Sequence, residues 1–161
     1  LSATLAIRRK AHIRMTAFAY FEWKDMETAA AKAAGNVDVM KADHHGVGNT
    51  NGFGYVAKNG HVCEAMKYLS PRCWIVNSWT DGHPRQATYE GVNGLLPGTD
   101  IFITNTCSDM AAYKNFNMVK GSNGHIVVRV NKGGTKYIVY TLADSDGSRR
   151  VLKASGPYIA R

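Results

Sequence analysis

Three short apolar runs, Val37 to Met40, Cys73 to Val76 and Asp100 to Thr104, restrict the fold of this chain more than any other feature. Each has the length of a strand and is too short for a helix of ordinary size. Between them lie stretches at helical spacing. His61 to Leu69 carries Val62, Ala65, Met66 and Leu69 on one face and is stopped by Ser70-Pro71, because the residue before proline avoids the helical region. Arg85 to Val92 reads as the next helix. Strands that alternate with helices in this way form an α/β layer.

Upstream, Leu1 to Ile7 alternates apolar with small or polar residues and His12 to Phe21 follows a turn at Arg8 to Ala11, which predicts a hairpin. Asp25 then caps a helix, the alanine-rich Thr28 to Ala34 forms it, and Gly35 ends it. The C-terminal third changes character. The β-branched runs HIVVRV (125–130) and YIVYTL (137–142) flank Asn131-Lys132-Gly133-Gly134, which predicts a second hairpin, with Val151 to Ala154 as a last strand. The 161 residues make one domain.

A hydrophobic fraction of 45% supports a packed interior, and no apolar run approaches the ~20 residues of a membrane span. The first ten residues do not read as a signal peptide. The chain starts at Leu1 rather than Met, which suggests a processed or trimmed product and leaves a secreted or periplasmic location open. A net charge of +8 favours anionic substrates or surfaces. The basic residues are scattered over both ends, however, so nucleic acid is a less favoured partner. Cys63, Cys73 and Cys107 form no C-x-x-C pair and read as buried thiols, with a Cys63–Cys73 bridge left open.

Chemistry concentrates in VDVMKADHHGVGNTN (37–51). Asp43, His44, His45 and Gly46 follow a strand directly, and the C-terminal edge of such strands is where α/β sites form. Imidazole is the commonest metal ligand, Asp43 can join or orient it, and Gly46 lets the backbone turn sharply. Asp-Gly-His-Pro (81–84) ends the next strand unit and brings His83 towards the same edge. Asp38, an acid in a buried strand, needs a partner of its own. His12, His61 and His125 stand alone and read as structural. A polar turn is the competing reading of the His-His-Gly loop.

The ordered set VDVMKADHHG, helix, PRCWIVNSW, DGHP, LLPGTDIFITN and GHIVVRVNKGGTKYIVYTL resembles the C-terminal half of a metallo-β-lactamase fold, in the competence-protein-like branch of metallohydrolases. The resemblance runs from Trp23 to Tyr158. It implies half of an αββα sandwich: a mixed sheet with helices on one face and a C-terminal β-hairpin. It implies zinc held by His45, with Asp43 beside it, and His44 and His83 on the substrate side, His44 and His45 being interchangeable. Asn49 and Thr50 would line the loop. The family's His-x-His-x-Asp-His motif, from the other half of that fold, is absent here: the chain has no H-x-H.

Three functions follow as expectations. One is a metal-dependent ester or phosphodiester hydrolase fragment, its enzymatic competence left open. A second is a non-catalytic subunit that assembles with copies of itself or with a complementary half-domain. The third is a basic module for nucleic acid or another polyanion.

Overall fold

A computed structural model of the chain describes residues 2–8, 12–18, 26–46, 64–78 and 82–161. The roles given to Asp25, Asn49, Thr50, His61 and Cys63 fall outside those residues. The chain opens with an antiparallel hairpin, β1 (Ser2–Arg8) against β2 (His12–Phe18), in register from Ser2 opposite Phe18 to Arg8 opposite His12. Helix α1 (Met26–Ala34) follows, its run of alanines giving high intrinsic helix preference. Gly35, at φ 65°, closes it by donating its N–H to the Ala31 carbonyl at 2.9 Å.

The next strands are β3 (Val39–Lys41), β4 (Cys73–Val76), β5 (Asp100–Ile103) and β6 (Gly121–Ser122), with α2 (Ala65–Leu69) and α3 (Gln86–Leu95) between them. Strands β3 to β6 run parallel to one another, while β1 lies antiparallel to β3. The result is a six-stranded mixed sheet in the order β2-β1-β3-β4-β5-β6. Three antiparallel strands, β7 (His125–Val130), β8 (Lys136–Leu142) and β9 (Val151–Ile159), form a second sheet. The α/β order and the C-terminal hairpin read from the sequence are therefore present. Two-residue β6 has no periodicity to read, and β9 runs to Ile159 rather than Ala154.

The interior residues of β3, β4 and β5 are apolar on both sides because both faces of the parallel sheet are covered. Met40, Trp74, Val76, Ile101 and Ile103 face the helical layer, packed with Ala31, Met66, Leu69, Tyr89 and Val92. The alternate residues Val39, Cys73 and Phe102 face the second sheet and meet Tyr137 and Val139. Helices, parallel sheet and antiparallel sheet thus form three layers. Burial of side chains as large as Trp74 and Phe102 contributes of order 2–3 kcal/mol each to the stability of the stack. Among the described residues, no helix is long and apolar enough to cross a membrane.

At the N-terminal edge of the parallel strands, Asp38 has the partner that its burial requires. Arg161, beyond β9, donates its backbone N–H to the Asp38 carboxylate at 3.1 Å, and its guanidinium Nε lies 3.7 Å away. The same guanidinium donates through Nη2 to the carbonyls of Val37 at 2.7 Å and Ser70 at 2.8 Å. Beside it, the Tyr158 hydroxyl donates to Asp100 at 2.6 Å and its ring stacks on Tyr137 with centroids 5.0 Å apart. Arg72 donates to the Ile159 carbonyl. These contacts tie β9 across the starts of β3, β4 and β5.

Cys73 is a buried free thiol, and Cys63, with which a bridge was left open, lies outside the described residues. The Cys73 sulfur lies 3.8 Å from the Tyr137 hydroxyl, and burial pushes its pKa up to about 11. Such a thiol is protonated and unreactive at neutral pH.

Candidate functional site

The opposite edge of the sheet holds the histidines. After β3, the chain turns at Ala42 into a 3-10 helix, Asp43–Gly46. Within it His45 takes the left-handed conformation, φ 57°, which costs a non-glycine residue about 1–2 kcal/mol. Its ring Nδ1 lies 2.6 Å from the Asn77 carbonyl, just past the end of β4. A carbonyl can only accept, so Nδ1 carries the proton and a neutral ring keeps its lone pair on Nε2. Metal-ligating and proton-transferring imidazoles are commonly held in this way through the other ring nitrogen.

His83 comes to the same place from the segment before α3. The two rings lie 6.0 Å apart, centroid to centroid, at 51°. The backbone sets this approach. Gly46, at φ 78°, sits so close to Pro84 that a Cβ there would fall 2.5 Å from the Pro84 Cβ. The Gly46 carbonyl accepts the Arg85 N–H at 3.1 Å, which joins the His45 turn to the start of α3. Trp74 fills the space beneath, 3.6 Å from the same point. His45 is exposed and His83 half-buried.

The polar side chains around the pair hold the strand ends together. The Ser78 N–H donates to the Thr104 hydroxyl at 2.8 Å, and that hydroxyl donates back to the Ser78 carbonyl at 3.1 Å. The Ser78 hydroxyl donates to the Asn105 carbonyl. Asn123 accepts both the N–H and the hydroxyl of Thr106, at 2.9 and 3.0 Å. Ser78 is thus engaged with backbone and is not arranged as a histidine-activated nucleophile. Cys107 and the Arg85 guanidinium flank Gly82, the residue before His83: the sulfur lies 4.0 Å and the nearer guanidinium nitrogen 3.7 Å from where a Gly82 Cβ would stand.

Of the residues singled out in the sequence, His45 and His83 are brought together. The backbone of Asp43 and His44 lies in the same 3-10 turn, and their side chains are not described. His125 is elsewhere: it sits on β7, with Nε2 2.7 Å from Asp144. Asn77 was not foreseen, although the residue after β4 at the strand-end edge is where a neighbour for a β3-end loop would be sought. Among the described residues, no group of three or more His, Cys, Asp or Glu side chains is placed to hold a metal ion. A hydrolytic zinc needs at least three protein ligands, so the two imidazoles alone do not fit one. No family model matches the chain, and no curated protein or solved structure does either.

Proposed function

We propose that the chain is the histidine-bearing half of a metallo-β-lactamase-type site for ester or phosphodiester hydrolysis, active only with a complementary half-domain. The observation that carries this reading is the His45 ring, held at Nδ1 by the Asn77 carbonyl with His83 at 6.0 Å, at the carboxyl edge of parallel strands. In this reading His45 presents Nε2 as a ligand or proton acceptor. His83, with His44 as the adjoining candidate, faces the substrate. The excess of basic residues draws in an anionic ester. Remaining zinc ligands, Asp43 aside, come from the partner half, and the isolated chain does not turn over substrate.

Zinc titration followed by histidine NMR tests this. Weak, one-to-one binding that shifts the His45 ring signals and, through their 6.0 Å separation, those of His83, and that is lost in His45→Ala but kept in His83→Ala, is the expected result. Wild-type protein that leaves both rings unshifted at saturating zinc sinks the reading.

A further inference from the structure

We infer that the outer face of the three-stranded sheet docks one amphipathic helix with acidic flanks, supplied by another protein. The direction of each side chain follows from strand alternation. Tyr137, Val139 and Thr141 of β8 are buried against the parallel sheet, so Ile138, Tyr140 and Leu142 point outward. Register places Val127 opposite Tyr140, Val151 opposite Leu142 and Ile159 opposite Lys136 on the same side. A solvated sheet face normally carries polar residues at these positions. Here Val127 is 39% exposed, Val151 52% and Ile159 56%, and the register sets Val127 beside Tyr140 and Val151 beside Leu142. Such a surface marks an interaction site.

Charge and width decide what covers it. The strands HIVVRV, KYIVYTL and VLKASGPYI contain no Asp or Glu. Arg129, opposite Ile138, and Lys136 stand within the apolar face, and Lys132, Arg149 and Arg150 lie in the adjoining turns. The acids of the 143–150 connection are Asp144 and Asp146, and Asp144 already faces His125 and Arg149 at 2.7 and 3.4 Å. An apolar centre that carries Arg129 and Lys136, with further cations at its ends, selects a partner with an apolar stripe and acidic borders. A second copy would set Arg129 and Lys136 against like charges. Single-stranded nucleic acid stacks on aromatic rings, and Tyr140 is the one outward aromatic of β8. Three strands about 4.8 Å apart make a surface about 14 Å wide, which one helix of about 10–12 Å diameter covers. The length of β8 corresponds to a helix of about 15 residues.

The full chain would be titrated calorimetrically with two synthetic helical peptides of about 15 residues, each with one Leu/Ala stripe, one flanked by Glu and the other by Lys. Binding of the Glu-flanked peptide, weakened about tenfold or more by Arg129→Glu and by Val127→Asp, is expected, with no binding of the Lys-flanked one. Both substitutions are on exposed positions, and unchanged far-ultraviolet dichroism confirms that the variants fold. No binding of the Glu-flanked peptide, equal binding of both, or retention of affinity by both variants overturns the inference. So does a wild-type dimer that Val127→Asp dissociates. Association with phosphatidylserine vesicles or oligo-dT that Arg129→Glu abolishes, in place of peptide binding, also overturns it.

Discussion

The two edges of the parallel sheet are built by different means. At the N-terminal edge, long polar side chains do the holding: Arg161 on Asp38 and on the Val37 and Ser70 carbonyls, Tyr158 on Asp100, Tyr137 beside Cys73. Asp38 and Asp100 are paired there, and Cys73 is buried. At the C-terminal edge, the backbone holds side chains: the Asn77 carbonyl fixes His45, and close approach of Gly46 to Pro84 brings in His83. The first edge closes the fold. The second holds two imidazoles near each other through backbone contacts, and fixed support is what a reactive site requires. An acid and a thiol next to strands are therefore poor indicators of chemistry here, and histidines at strand ends are better ones.

The largest effect that separates the edges is expected from Arg161→Ala. Asp38 is only 3% exposed, so removal of the guanidinium leaves a buried carboxylate without its cation, at a cost of about 3 kcal/mol. Denaturant unfolding should show that loss, and Asp38→Asn in the same chain should restore much of it. A loss below about 1 kcal/mol would mean that the backbone N–H of Arg161 alone satisfies the acid.

The same edge makes stability fall at high pH. The Cys73 thiol titrates at 9.0 when unperturbed and at about 11 in the folded protein, raised chiefly by burial and further by the Asp100 charge. Between these values the unfolded chain has lost the proton and the folded chain has kept it. The contribution is therefore intact below pH 9 and lost as pH rises towards 11, about 2–3 kcal/mol in all. Burial raises Tyr137 and Tyr158 as well, and they act in the same direction. Unfolding curves from pH 8 to 11 should show this decline, and Cys73→Ala should make it shallower. An unchanged slope in that variant would place the pH sensitivity elsewhere.

How much of each edge could be read beforehand follows from distance along the chain. The strand-helix alternation is local, so β3, β4, β5 and the helices between them were legible, as was the hairpin of β7 and β8. The convergence of His45 and His83 on one edge was legible too, because parallel strands place their following loops together. Need of a partner for Asp38 was evident, but its identity was not: Arg161 lies 123 residues away, and no periodicity links the two. Strand β9 was read short because KASGPYI carries small residues, a charge and Pro157, which suit an edge strand and give no apolar signal. The outward apolar positions of β8 were hidden in YIVYTL, where a run buried on both faces and a run with one face uncovered look alike.

The smallest expected effect on stability bears most directly on the histidine edge. If the backbone sets that site, Gly46→Ala should disturb it without touching either imidazole. The added methyl meets Pro84 at Cβ and Cα, 2.5 and 2.9 Å away, and the position has a φ of 78° that alanine rarely adopts. Pro84 cannot rotate aside, so the 82–85 segment must move as a unit and take His83 with it. The strain costs about 1–3 kcal/mol. The His45 hydrogen bond goes to Asn77, which is outside the 82–85 segment, and should survive. In NMR spectra the His83 ring signals should therefore shift more than those of His45, and any joint response of the two rings to zinc should be lost. If both rings keep their wild-type signals, the pair is set by its own side-chain contacts, and the contrast between the two edges fails at the point where it matters for function.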